Sequence, residues 1–200
     1  MERTLAYLLA MACGAIPALA VFVALRAPRR RWLRERHLAS SDLREGALAL
    51  FGMFCGGMAV LTLTPRWVVW SLVDLLRGYS WNVGGYPFFE PGLMNLRPFQ
   101  TFQFSAYILL GNIVMFVPFG FFAALLWLGW SWRRTLGLGL CLTGFVECWQ
   151  LRVGRAFDID DLMLNTFGTL CGFWLWRALR ALAPDFTERF HVHGDKETYE

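Results

Sequence analysis

Long apolar runs dominate this sequence and limit the folds that are open to it. A helix needs about 20 consecutive apolar residues to cross the hydrocarbon core of a bilayer. Five segments approach or exceed that length: residues 5–25, 46–64, 104–130, 134–151 and 162–179. Only 17% of all residues are charged and 16% are aromatic, a balance typical of membrane proteins rather than of soluble domains. We predict an all-α membrane protein with about five transmembrane helices.

The distribution of basic residues predicts the orientation of the chain. The run RAPRRRWLRERH at 26–37 contains six Arg and one Glu. Lys and Arg in short loops stay on the cytoplasmic side of a membrane, so we place residues 26–45, Arg133 with Arg134, and 180–200 inside. The same Arg cluster follows the first apolar segment instead of preceding it, which predicts a retained helix rather than a cleaved signal peptide. Because the excess positive charge is local, it does not indicate nucleic-acid binding.

Two connecting segments, residues 65–103 and 152–161, then lie outside, which gives an N-out and C-in arrangement with five spans. The stretch RWVVWSLVDLLRGY at 66–79 has apolar residues at helical spacing, with Trp67, Trp70 and Trp81 in or near it. This pattern is typical of a helix that lies along the membrane interface.

Polar residues in three different spans fall at similar depth. Asn112 lies about nine residues inside the third segment, Glu147 about four inside the fourth and Asn165 about three inside the fifth, which places all three within roughly 5–15 Å of the outer surface. An ionised side chain in hydrocarbon costs at least about 2.5–3.5 kcal/mol, so such groups face a protein interior or a cavity. The shared depth therefore predicts one site that opens outward.

The spacing within each span supports that site. In the fourth segment, three polar residues follow the i, i+4, i+7 spacing of one helix face: Thr143, Glu147 and Gln150. In the fifth, Asp161 and Asn165 share a face with Gly168 and Gly172, a GxxxG pair that lets a neighbouring helix approach closely. We expect the acidic and amide groups to lie on packed faces, away from lipid.

Structural roles explain part of the polar set. Asp160 or Asp161 can cap the fifth helix by accepting hydrogen bonds from its first N–H groups. Arg155 can pair with Asp158 or Glu147 to hold the loop, and Arg152 reads as a solvated interface charge. Three Asp, one Glu and two or three Arg nevertheless exceed what helix ends require.

Four sequence blocks between about residues 60 and 175 carry a family resemblance. They are NLRPF (95–99), GNIVMFVPFGF (111–121), GFVECWQLRVGR (144–155) and FDIDDLMLNTFG (157–168). In their order and spacing they resemble the VanZ-like family of bacterial membrane proteins. A Ser usually stands four residues before the Glu of that family, and Thr143 keeps a hydroxyl there.

The resemblance implies a single VanZ-like domain over residues 1–200 in the bacterial cytoplasmic membrane. Its core would span about 46–180, with an extra helix at 1–25 and a polar cytoplasmic tail at 181–200. The founding member is associated with resistance to teicoplanin, a lipid-tailed glycopeptide. The positions that match the family's polar residues are candidates for ligand binding: Asn95, Arg97, Asn112, Glu147, Gln150, Arg155, Asp158, Asp160, Asp161 and Asn165.

The first functional hypothesis is a binding protein of the outer leaflet, without catalysis. Arg97 and Arg155 would hold a phosphate or carboxylate through paired N–H donors. The ligand would be a lipid-linked envelope precursor or a lipoglycopeptide. Four aromatic residues would line the approach for its lipid tail: Trp67, Trp70, Trp81 and Phe88.

Two alternatives remain open. The chain could be a metal-dependent enzyme acting on a lipid phosphate or glycolipid, with Mg²⁺ or Mn²⁺ on Asp158, Asp160 and Asp161, since hard cations prefer carboxylate oxygens. Glu147, Asp158 and Asp161 would then be the catalytic groups. It could also be a scaffold for other envelope proteins, in which the charges only hold the fold.

Overall fold

The computed structural model describes residues 2–79, 89–90, 92–100 and 106–194, and the described chain is mainly helical. The helices are α1 (Glu2–Arg34), α2 (Asp42–Leu63), α3 (Arg66–Leu76), α4 (Ala106–Leu126), α5 (Trp132–Gln150), α6 (Ile159–Leu182) and α7 (Pro184–Glu188). The short strands are β1 (Leu38–Ser40), β2 (Met94–Asn95), β3 (Phe157–Asp158) and β4 (Val192–Gly194). The predicted helical class is confirmed, and each predicted apolar segment lies largely within one long helix.

Three of the described helices are long and apolar enough to cross a membrane: Tyr7–Arg34 within α1, Asp42–Leu63 and Ala106–Leu126. The other two predicted spans, α5 and α6, carry more polar side chains, including Glu147 and Asn165. Helices of this composition are stable beside lipid when their polar faces are packed inward. The count of five spans and the N-out orientation stay predictions.

The first helix is longer than the sequence predicts. We expected a span at 5–25 followed by an Arg-rich loop, but α1 continues to Arg34. Arg is a good helix former, and the extra turns lie against the start of α2. There Arg26 and Arg30 bond to the Asp42 carboxylate at 3.2 and 2.6 Å, and Arg29 bonds to Glu45.

The C-terminal tail folds back onto the bundle, whereas its polar sequence suggests a loosely ordered cytoplasmic segment. β4 pairs antiparallel with β1, so that Ala39 lies opposite His193. Phe190 is buried in the cluster that contains Ala47, Leu126 and Trp176, with Trp130 packed against it. We call this end of the bundle, residues 26–45, 127–134 and 177–194, the tail end. The last residues, 195–200, lie outside the described part of the chain.

The opposite end of the bundle joins two loops. β2 and β3 pair in parallel, with Asn95 opposite Asp158. Just before this pair, the Gly92 N–H donates to the Leu151 carbonyl at 2.8 Å. We call this end, residues 89–100 and 150–161, the loop end. α3 confirms the helix predicted at 66–79, although it ends at Leu76, and Trp81 and Phe88 fall outside the described residues.

Close packing of α4 against α6 positions the loop end. A Cβ atom on Gly168 would collide with the carbonyl of Ile113, and one on Gly172 with the carbonyl of Val117. Only glycine lets the two backbones approach this closely, which confirms the predicted GxxxG packing face. α1 and α2 use the same device where Gly14 meets Gly56.

We expect Gly172→Ala to lower the free energy of unfolding by about 1–3 kcal/mol, because the added methyl group forces two helix backbones apart. Gly144→Ala is the matched control, since a Cβ there meets no atom within 4 Å. The measurement is the unfolding transition of both variants in detergent. Equal transitions for the two variants would contradict the packing argument.

Candidate functional site

Glu147 lies at the centre of the polar residues of the loop end. It lies in the last turn of α5, is 1% exposed, and accepts a hydrogen bond from the Asp158 N–H at 3.0 Å. The spacing argument predicted this inward orientation, and Thr143 and Gln150 on the same face are buried too. Through this bond, Glu147 ties the end of α5 to the start of α6.

Asp158 caps α6, where the sequence suggested Asp160 or Asp161. Its side chain accepts from the Asp160 N–H at 2.9 Å and from Nδ2 of Asn95 at 3.1 Å. The cap falls here because the β2–β3 pair fixes Asp158 in an extended conformation just before the helix. Asn95, a candidate from the family resemblance, is thereby joined to the carboxylates.

The other two aspartates point to different partners. Asp160, 0% exposed, accepts the Phe99 N–H at 2.6 Å and so anchors the NLRPF loop on α6. Asp161 accepts a hydrogen bond from Nδ2 of Asn112 on α4. These contacts join three chain segments, and we call the set Asn95, Asn112, Glu147, Asp158, Asp160 and Asp161 the polar cluster.

The three aspartate side chains contact different partners, and this matters for the metal site predicted on them. In the described ranges, no group of three His, Cys, Asp or Glu side chains is arranged to hold a metal ion. Asp158, Asp160 and Asp161 each turn an oxygen to a different backbone or amide N–H. Mg²⁺ or Mn²⁺ binding there stays a prediction that needs a separate test.

Asn165 lies deeper, where α5 and α6 meet. Its Nδ2 donates to the Thr143 hydroxyl at 3.0 Å, which joins α6 to α5. Within the described part of the chain, its buried Oδ1 has no hydrogen-bond partner. The amide therefore keeps one free acceptor beneath the polar cluster.

Arg155 acts on α2. Its Nη1 donates to the carbonyls of Leu61 and Thr62 at 2.9 and 3.3 Å, and Nε1 of Trp149 donates to the carbonyl of Leu63 at 2.7 Å. These carbonyls belong to the last turn of α2, where no further helical N–H can reach them. A cation at a helix C-terminus also interacts favourably with the helix dipole.

The exposed cations of the loop end are Arg97 and Arg152. Arg97 belongs to the NLRPF loop, where its backbone N–H bonds to Oδ1 of Asn95 at 3.3 Å. Arg152 follows α5 in the turn that leads to Asp158. Both guanidinium groups are available to a ligand, whereas Arg155 already contacts α2.

Arg152 lines a cleft that the sequence did not reveal. The cleft has a volume of ≈ 770 Å³, within the usual range of about 300–1,000 Å³ for small-molecule sites. It is lined mainly by apolar side chains, together with Arg152 and Glu90: Phe89, Glu90, Gly92, Met94, Trp149, Leu151 and Arg152. Its walls come from β2 and the end of α5, which are far apart in sequence, so no local pattern could predict it.

We expect Arg155→Gln to lower the free energy of unfolding by about 1.5–3 kcal/mol, because hydrogen bonds from a charged donor to the end of α2 are lost. Arg152→Gln is the matched control at an exposed position three residues away, and we expect its unfolding transition to be unchanged. Chemical or thermal unfolding of the purified proteins measures both. A stable Arg155→Gln variant would show that these bonds add nothing to the fold.

Comparison with known proteins agrees with the resemblance seen in the sequence. A family model described as VanZ/LLP1 matches residues 50–180, which is more than half of the chain and includes the polar cluster, Arg155 and the end of α5. No curated protein and no solved structure matches the chain. The matched region holds α4, α5 and α6 and the loops between them, whereas α1 lies outside it. The chain belongs to the VanZ/LLP1 family.

Proposed function

We propose that this VanZ-like membrane protein binds a lipid-tailed anionic ligand at an outward-facing loop end and does not transform it. The ligand class is a lipid-linked envelope precursor or a lipoglycopeptide. The observation that carries the proposal is the cleft, because it combines an apolar lining with an exposed Arg at one site.

The lining of the cleft suits a hydrocarbon tail. Met94 is 61% exposed and Phe89 63% exposed, and the Phe89 ring meets Trp149 edge-on at 6.2 Å. Burial of such surface by a tail contributes roughly 25 cal/mol per Å². The expected lining of the approach by Trp67, Trp70, Trp81 and Phe88 stays a prediction, since Trp81 and Phe88 lie outside the described residues.

The charged groups suit a phosphate-bearing headgroup with sugar or amine substituents. Arg152 in the cleft, with Arg97 on the neighbouring loop, offers planar N–H pairs that match phosphate and carboxylate oxygens. Glu90, in the same lining, offers an acceptor for hydroxyl or ammonium groups. The ligand would thus lie with its tail against Trp149 and its phosphate at Arg152.

The polar cluster supports this cleft from behind. Glu147 and Asn95 both bond to Asp158, and Gly92 bonds to Leu151 across the two loops. The buried carboxylates therefore fix the spacing between the two walls of the cleft. In this proposal they position the Arg residues and do not contact the phosphate themselves.

We expect lipid-linked precursors or teicoplanin-type glycopeptides to raise the melting temperature of the purified protein, since a ligand that binds the folded state stabilises it by mass action. Arg152→Gln should weaken binding about tenfold through loss of a charge-assisted contact. Arg77→Gln, at another exposed Arg that does not line the cleft, is the control and should bind normally. Normal binding by Arg152→Gln would refute the cleft as the ligand site.

In cells, we expect expression of the chain to reduce susceptibility to teicoplanin-type glycopeptides, and Arg152→Gln to reverse this at equal membrane abundance. The readout is the inhibitory concentration alongside a quantitative blot. Equal protection by the variant and the parent protein would show that the resistance does not depend on the cleft.

A scaffold is the second candidate, because every carboxylate of the polar cluster already has a partner within the chain. The same melting experiment distinguishes a scaffold from a binding protein. A scaffold would respond to no lipid, and the Arg152→Gln variant would behave as the parent.

Adding Mg²⁺ or Mn²⁺ to the parent and to the Asp161→Ala variant in parallel tests the metal-dependent alternative.

A further inference from the structure

The tail end carries far more positive than negative charge. Its three segments contain twelve Arg and five Asp or Glu. Two of those acids, Asp42 and Glu45, are used by Arg26, Arg29 and Arg30 in the ion pairs between α1 and α2. A group of cations on α2, α6 and the tail is left without a matching set of acids.

Arg44 is the most enclosed of these cations. It is 8% exposed, and its Nη1 has only a long contact, 3.4 Å, to the Ser40 hydroxyl, which itself donates to Glu45. In the described part of the chain, the buried Nε of Arg44 has no hydrogen-bond partner. A buried donor on a charged group that lacks an acceptor is costly, so the site favours an added anion.

A second buried donor lies at the same end. Nε1 of Trp176, on a residue that is 5% exposed, also lacks a partner among the described residues. Trp176 packs in the cluster with Ala47, one turn along α2 from Arg44. Nε of Arg30 is a third buried donor of this region without a partner among the described residues. All three atoms are N–H donors, so what this region lacks is an acceptor.

Two further groups of the tail end complete the surroundings. His191 is 7% exposed; burial lowers its pKa, and the nearby charges of Arg180 and Arg44, with His193, lower it further against the opposing effect of Glu188. The His191 ring offers an N–H donor to a ligand. Arg180 is exposed and lies over the Trp176 ring at 5.5 Å.

We propose that the tail end binds a phosphate group through Arg44, with Arg180 and His191 beside it. The phosphate belongs to an anionic phospholipid of the adjacent leaflet. The site is separate from the cleft of the loop end and does not depend on the proposed function. It neutralises Arg44 and joins α2, α6 and the folded tail at one point.

The surrounding surface favours a lipid as the source of the phosphate. Trp32 is 50% exposed with the Arg36 guanidinium 3.7 Å from its ring centre, and Trp132 is 49% exposed with Arg133 at 5.5 Å. Half-exposed Trp residues beside Arg are typical of the headgroup level of a membrane. Basic sites between helices on such a face hold anionic headgroups.

The test compares the protein in nanodiscs of phosphatidylcholine alone, of phosphatidylcholine with phosphatidylglycerol, and of phosphatidylcholine with inorganic phosphate added. We expect phosphatidylglycerol to raise the melting temperature by several degrees, and Arg44→Gln to lose that rise. Arg34→Gln, at an exposed Arg of the same end that is not part of the proposed site, should keep it. A rise with inorganic phosphate that Arg44→Gln also loses would retain the site and assign it to free phosphate.

A second variant covers the case in which Arg44→Gln does not fold. Arg180→Gln changes an exposed side chain, and we expect native mass spectrometry to show about tenfold weaker retention of phosphatidylglycerol than in Arg34→Gln. Equal retention by the two variants, or an unchanged rise in Arg44→Gln, would overturn the proposal.

Discussion

The hydrogen bond from the Asp158 N–H to the buried Glu147 carboxylate is the contact on which the loop end depends. It brings the end of α5 to the start of α6 across a short turn. A carboxylate that is 1% exposed needs donors around it, since its desolvation costs several kcal/mol when it is ionised and left unpaired. The chain supplies such a donor from its own backbone, the Asp158 N–H, and this bond favours one conformation of the turn.

The same need for partners extends to the helix ends around this turn. Arg155, Trp149 and Gln150 donate to the last carbonyls of α2, and Asp158 accepts at the first turn of α6. Helix ends that are buried without such partners are unstable. Residues 147–161 thus supply hydrogen-bond partners to both the C-terminal end of α2 and the N-terminal end of α6. This double role explains why the stretch contains so many polar groups between two apolar runs.

The two ends of the bundle solve the problem of buried charge in opposite ways. At the loop end, Glu147 and Asp160 are buried and accept backbone N–H groups, while the cations Arg97 and Arg152 are exposed. At the tail end, Arg side chains are in excess, and the buried Nε atoms of Arg30 and Arg44, with Nε1 of the adjacent Trp176, lack acceptors among the described residues. A folded tail, held by β1–β4 pairing and by Phe190, covers that region. The contrast suggests that each end meets a different chemical environment.

Spacing alone predicted the packed helix faces that carry part of the polar cluster. Helical periodicity placed Glu147 with Thr143, and Asp161 with Gly168 and Gly172, on packed faces, because residues four apart on a helix share a side. The NLRPF loop was associated with this region only through the family resemblance. The structure then showed which atoms meet, for example Asp160 with the Phe99 N–H.

The sequence by itself determined the helical class, the approximate positions of the long helices and the inward faces of α5 and α6, since these follow from local hydrophobic period and length. It did not determine that Asp158 caps α6, that Arg155 bonds to the end of α2, or that the tail pairs with β1. Those choices depend on contacts between residues about 60 to 150 positions apart. The cleft beside Arg152 belongs to this second group, because its walls exist only after β2 has paired with β3.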